Sequence, residues 1–592
     1  MRERKDIPAK YKWDLSVIYA DEKAFYDDYA KVEKMVKEFP KHEKTMTKSA
    51  EGLYNVLRAD CDIEAIIEKL WSYASLNFSV DSTNNSFQAL NAKVRALAVQ
   101  AGAASWFVSP RILALDTEVV EGWFKEYPAL ETFRRTIHSI MRMKPHMLSD
   151  ECEQLVSKLQ DGFGTHSEIR SIFANSDLRF GKIRNEQGKL VELTDTNYVP
   201  FLMSNDRRVR QAAFRKLYET YAQFGNTFAT TFNAMVREKG TLARVRGYKN
   251  SITASTFRDE VTPEIYNNLI NSVHTGLPAL YDYYDLKREV LGVQKLHLYD
   301  VYAPLIGELE RVYSYEEAVD EVLKTVEVYG DEYYNALKAG LTEKGWVDVY
   351  PSRGKRGGAF SAGTPVTEPY ILLNYTETLD DVSTLAHEAG HSMHSWFSTH
   401  YNEPHNSNYT IFVAEVASTV NEVLLTKYLL KTETDKARRA YVLNHFLEGF
   451  RTTVFRQTLF AEFERRAHDM HKAGTPLTAD SLNALYRELN LLYYSGVDVA
   501  ELHSIEWARI PHFYRAYYVY QYATGFCSAV AIAQEIVDTG DASRYLSFLK
   551  TGGSDYPIEE LKITGIDLTS PDAVRRALAV FGKSVDEMAE MI

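Results

Sequence analysis

Apolar residues recur at three- and four-residue spacing over most of the chain, the period of helices that bury one face. Phe25, Tyr29, Val32 and Met35 form one such stripe, and Ile63, Ile66, Ile67 and Leu70 another. From about Asp21 to Arg179 the pattern predicts successive amphipathic helices, broken at Phe39-Pro40, around Asp81 to Asn85, at Ser109-Pro110 and at Lys144-Pro145. Between Phe180 and Leu193 the period changes, and Lys182-Ile183-Arg184 and Lys189 to Leu193 flank Asn185-Glu186-Gln187-Gly188 as a small hairpin. Helices resume from Asp206 to Arg244 and again from Thr262, where Thr262-Pro263 reads as a cap followed by proline at the first helical position. Periodic segments continue to Leu341, without a shared repeat of solenoid length. Trp346 to Tyr350 and Tyr370 to Tyr375 read as strands, expected to pair antiparallel and joined by a mobile loop carrying Gly354, Gly357, Gly358 and Gly363. The chain is therefore mostly α with one small sheet.

One later run departs from amphipathicity. Tyr409 to Leu430 is apolar round most of its circumference and predicts a buried helix, whose only charges between Ile411 and Leu425 are Glu415 and Glu422. Carboxylates in such a helix are costly unless a cation or a hydrogen-bond network receives them. Just upstream, Thr378 with Asp380 and Asp381 can cap a helix that contains His387-Glu388-Ala389-Gly390-His391. Histidines four apart lie ~40° round a helix and one turn along it, so both imidazoles reach one point. Such a pair is half of a zinc site, and Glu388 lies close enough to accept a proton from water at the metal without ligating it. Glu415, 24 residues beyond His391, is the candidate third ligand, and Glu422, on the same face, the candidate partner that orients a ligand histidine. Ordinary buried ion pairs are the alternative for both carboxylates. His394 lies two turns from His387, ~10.5 Å along the axis, too far for both to ligate one metal, and is expected either to pack or to support a ligand from behind.

Composition narrows the class. The 592 residues are 45% hydrophobic and 25% charged, a globular balance with ample core. A net charge of −13 opposes nucleic-acid and membrane-surface partners, and no dense Lys/Arg cluster offsets it. Cys61, Cys152 and Cys527 are far apart and suggest neither a disulfide framework nor a thiolate metal cage. With no apolar run of signal-peptide or membrane-span length, a soluble, cytoplasmic protein is expected.

His387 to His394 and Phe412-Val413-Ala414-Glu415-Val416-Ala417-Ser418 resemble the oligoendopeptidase F family, relatives of thimet oligopeptidase and neurolysin. Lys355 to Phe360, Pro369 to Tyr375, Ile510 to Tyr514, Tyr520 to Gly525 and the opening Lys12-Trp13-Asp14-Leu15-Ser16 extend the resemblance over most of the chain. It implies a two-lobed helical zincin-like fold, a deep central channel admitting oligopeptides, and one Zn2+ per chain. The expected division is an N-terminal helical lobe over 1–180 and a catalytic domain over 181–592, with a glycine-rich loop and edge strand at 351–375, zinc helices at 379–430 and a tyrosine-rich segment at 511–525. An edge strand there can pair with an extended substrate backbone. In the tyrosine-rich segment, hydroxyls could donate to an oxyanion or simply pack. The relatives' histidine and Tyr…Tyr-Tyr-Gly-Tyr series maps onto Tyr514, Tyr517-Tyr518 and Tyr520 with one residue deleted, and Val519 replaces the glycine. His512, Tyr514 and Tyr520 are the expected oxyanion donors, beside His387, His391 and Glu415 as metal ligands and Glu388 as base. A metallo-carboxypeptidase of related design and a non-catalytic peptide binder are the alternatives. Partners are expected to be oligopeptide substrates, and the protein a monomer or small homo-oligomer.

Overall fold

Helix starts fall where side chains satisfy backbone N–H groups that the helix leaves unpaired. In the computed structural model, which describes residues 2–307 and 311–592, Asp21 caps Glu22–Glu38, Ser49 caps Ala50–Val80 and Asn84 caps Asn85–Ala104. The break expected around Asp81 to Asn85 is the turn between the last two. The break expected at Ser109-Pro110 falls slightly earlier, at Ser105 to Phe107. Pro110 lies in the first turn of Val108–Leu113, where a missing N–H loses no helical partner, and the chain turns just before it. Lys182–Arg184 pairs antiparallel with Leu190–Glu192, Ile183 opposite Val191, forming the expected hairpin.

The chain forms two compact units, each assembled from three separated stretches. The first comprises Met1–Pro145, Glu310–Tyr428 and Ile532–Ile566, and the second His146–Leu309, Leu429–Ala531 and Asp567–Ile592.

In the first unit a hydrophobic core runs from Trp13 through the N-terminal helices to Tyr370 and Leu372 of a small sheet. Trp13 meets Tyr370 edge-on at 6.0 Å, Asp14 N donates to Gly345 O and Val349 N to Tyr11 O. The opening segment thus clamps the sheet. Its strand order is Val347–Asp348, Tyr370–Leu372, Phe360–Ala362. The sheet is mixed rather than antiparallel: Val347–Asp348 runs parallel to Tyr370–Leu372, and Phe360–Ala362 antiparallel to it. The chain reverses twice between the first strand and the last, so these two point the same way, and the last occupies the centre. Phe360–Ala362 is left at an edge.

The glycine-rich stretch is tied down rather than loose. The fully buried Lys355 Nζ pairs with Asp348 Oδ1 at 2.8 Å and donates to the carbonyls of Asp348 and Tyr350, while Arg4 reaches the other Asp348 oxygen at 2.6 Å. Gly354 adopts φ 79°, and a Cβ there would lie 2.6 Å from Asp81 Oδ1. This is a left-handed position closed to larger residues.

The second unit is built from long helices, among them Arg207–Gln223, Gly225–Val245, Pro263–Val290 and Arg456–Lys472. Pro263 opens its helix as expected, but the Thr262 side chain makes no cap bond. The buried Glu506 gathers Arg456, Tyr486 and Tyr218 at 2.6 to 3.1 Å, and the charge of Arg456, with His503 beside it, holds its carboxyl well below the usual range against the penalty of burial. Among the described residues no helix is long and apolar enough to cross a membrane.

Candidate metal centre

The motif lies on Leu379–Tyr401, a helix started by a reciprocal cap: Thr378 accepts from Asp381 N, and Asp381 Oδ2 accepts from the N–H groups of Thr376 and Thr378. The expected buried helix runs Ile411–Thr432, with Val413, Val416, Ala417 and Val420 fully enclosed. Glu415 and Glu422 occupy its open side and are 46% and 34% exposed, so their place is less enclosed than the surrounding apolar residues imply.

The two helices meet at Gly390. A Cβ there would lie 2.6 Å from Ser418 Cα and 2.7 Å from Ala417 O, so only glycine permits this approach. Behind the contact, the buried Asn421 donates to Ala386 O at 3.2 Å and accepts from Tyr329 at 3.0 Å. Neither Gly390 nor Asn421 stood out in the sequence. An Asn in an otherwise apolar run was the available sign, because a buried amide needs partners.

Three ligand atoms converge where the helices meet. His387 Nε2 and His391 Nε2 are 3.1 Å apart, and Glu415 Oε2 lies 3.5 Å from the first and 3.6 Å from the second. Bonds of 2.0–2.1 Å in a tetrahedron place ligand atoms about 3.3 Å apart, so the triangle fits a small tetrahedral cation. Glu422 Oε1 is hydrogen-bonded to His387 Nδ1, which leaves Nε2 free to ligate. Burial opposes charge on His387, but Glu422, aided by Glu388 and Glu415, overrides it and lifts the imidazole to about 9. A hydrogen bond from His391 pulls Glu415 down to about 2. In the metal-free protein His387 thus holds a proton that a cation would displace.

Glu388 is 6% exposed, and its Oε2 has no hydrogen-bond partner among the described residues. Burial pushes its carboxyl up, while His387, His391 and a backbone hydrogen bond from Ser361 pull it down. Ser361 belongs to the edge strand, and its hydroxyl meets that of Ser392 on the motif helix at 2.8 Å. His394 is fully buried and stacks on Tyr409 at 3.7 Å, which is packing rather than ligation. Replacing Glu422 by Gln is expected to lower metal affinity about 10–100-fold, read by competition with a chromophoric chelator. Unchanged affinity would remove its orienting role.

The remaining expected site residues lie in the second unit. His512 is half-buried, with Nδ1 enclosed and unpartnered among the described residues, and burial with Arg170 and Arg456 nearby pushes its pKa down. Tyr514 Oη meets Thr231 Oγ1 at 2.7 Å. Tyr520 is fully buried, its ring 5.1 Å from that of Tyr266.

A helical fold that brings two histidines and a carboxylate to one point, with a buried glutamate beside them, defines a metallopeptidase of the zincin type. Comparison with known proteins narrows this. Peptidase family M3 matches residues 201–580 and Oligopeptidase F residues 111–180, and the chain belongs to family M3. Oligopeptidase PepF of Bacillus subtilis is 38% identical over 593 residues, covering all of this chain and 88% of that relative. The crystal structure of oligoendopeptidase-F from Enterococcus faecium superposes with a TM-score of 0.73 at 36% identity, over 96% of this chain and 99% of that one. That of a candidate peptidase from Chlamydophila abortus reaches 0.94 at 33% identity over all of both chains.

Proposed function

We propose that this chain is a zinc-dependent endopeptidase that hydrolyses internal bonds of oligopeptides. The observation that carries the reading is the convergence of His387, His391 and Glu415 beside the buried carboxylate of Glu388, whose Oε2 has no hydrogen-bond partner among the described residues. Membership of family M3 makes the chain a metallopeptidase, and relatives named oligopeptidase and oligoendopeptidase F point to oligopeptide substrates. A nitrogen- and carboxylate-rich triad suits zinc.

His387, His391 and Glu415 would hold the ion, which when bound acidifies water and polarises a carbonyl. Glu388 takes the proton of the attacking water and returns it to the leaving amine. Burial raises its basicity, which favours the first of these steps. Glu422 holds His387 in the tautomer that presents Nε2. Phe360–Ala362, as an edge strand, would bind the substrate backbone without regard to side chains. His512 and Tyr514 are proposed as oxyanion donors on chemical grounds alone, and Tyr520 would have to be uncovered to join them. The divide between an N-terminal lobe and a catalytic domain near residue 180 is likewise proposed, supported by the limits of the two family matches. Cytoplasmic residence is supported by three unpaired cysteines, one of them exposed. A monomer or small homo-oligomer is the proposed state.

The test is cleavage of an internally quenched peptide blocked at both ends, before and after chelation and with zinc restored. Cleavage that stops on chelation and returns with zinc supports the reading. A blocked peptide that survives while a free C-terminus is trimmed replaces it with a carboxypeptidase.

A further inference from the structure

Within the second unit, a pocket of about 250 Å³ is lined by Arg244, Lys249, Arg465, His471 and Lys472, with Asp469 as its one acidic residue. In a chain of net charge −13 this concentrates positive potential at one concave surface, as anion sites do. Asp469 is engaged by Arg465 at 3.6 Å. Arg244 donates to the neutral Thr241, and Lys472 has no carboxylate within 4 Å among the described residues.

The wall of the pocket is also prepared. His468 is 5% exposed and lines it. Its Nδ1 is 3.0 Å from Ser251 Oγ, which in turn lies 3.2 Å from Tyr517 Oη. Its Nε2 is buried without a partner among the described residues. Burial and the adjacent His471 keep this imidazole neutral, with a pKa near 3. A neutral imidazole has one donor and one acceptor. Ser251 Oγ bridges the imidazole and the Tyr517 hydroxyl and so holds both rings in place in the wall. Tyr517 supports this from a left-handed backbone, φ 56°, held by its N–H to Glu464 Oε1 at 2.8 Å. Such a conformation is costly for a tyrosine and persists only where its surroundings impose it.

We propose that this pocket binds a phosphorylated small molecule, with Arg244, Lys249 and Lys472 around the phosphate. Phosphate is favoured over carboxylate because it carries close to two charges and three strong acceptor oxygens, enough for several cations together. The volume lies just below the usual ligand-pocket range of about 300–1,000 Å³, which suits a small molecule rather than a chain segment. The proposal is independent of the metal centre.

The test is calorimetric titration of the full-length, metal-loaded protein with phenyl phosphate and with benzoate, which share a ring and differ in the anion. Saturable 1:1 binding of phenyl phosphate is expected, at least about tenfold tighter than benzoate and weakened about tenfold or more in each of Arg244→Gln and Lys472→Gln. These two residues are at the pocket's polar surface, and unchanged melting temperature and metal content in the free variants would show that they fold. Equal affinity for benzoate, unsaturable binding, or variants that bind like the parent would overturn the proposal.

Discussion

Replacement of Glu388 by glutamine is expected to lower kcat/KM by a factor of about 10²–10⁴, the usual worth of general acid–base catalysis, while metal content stays unchanged. Glutamine keeps the shape of the side chain and removes its capacity to accept a proton. The metal should remain because the ligand triangle consists of His387, His391 and Glu415, and Glu388 lies outside it. The carboxyl stands ready for this part: it is buried, displaced upward by desolvation, and has an oxygen with no competing donor among the described residues. Steady-state cleavage of the quenched peptide and metal analysis of the same sample give both numbers. Activity within tenfold of the parent, with metal bound, would take Glu388 out of the mechanism.

Replacement of Gly390 by alanine is expected to damage stability and activity together. The new methyl would meet backbone atoms, Ser418 Cα at 2.6 Å and Ala417 O at 2.7 Å, and backbone in a helix cannot rotate away as a side chain can. The helices Leu379–Tyr401 and Ile411–Thr432 must separate. Overpacking of this kind costs about 1–3 kcal/mol. Because Glu415 is on one helix and both histidines on the other, separation also spreads the ligand triangle, and a displacement of about 1 Å lowers catalysis roughly 10²-fold. Gly525→Ala is the control. It lies in the helix Tyr520–Thr539 with open space where the methyl would go, so it should be neutral or stabilising by about 0.5–1 kcal/mol. Denaturant melts and chelator competition on both variants test this. A Gly390→Ala protein with parental metal affinity would show that the contact does not set the site.

Much of the site was legible because its signals are local. The spacing of His387 and His391 acts through one turn of one helix, and the Thr378 cap spans three residues. Glu415 and Glu422 were visible as charges in an apolar run. Their partial exposure was not, since an apolar sequence does not reveal which stripe of a helix faces an open site. The break expected at Pro110 lies before it, at Ser105 to Phe107, for a related reason: a proline signals a helix end or a helix start, and neighbouring contacts decide which.

The sequence by itself determined the helical class, the hairpin at residues 182–192, the helix that carries the motif and the residues that could hold a metal, all consequences of period, capping and side-chain chemistry within a few turns. Tertiary structure alone decided that the sheet is mixed, that Lys355 is buried against Asp348, that Gly390 lets two helices touch, and that each compact unit draws on three distant stretches. These depend on contacts between residues far apart in the chain, and periodicity specifies which face of an element is buried without naming what buries it.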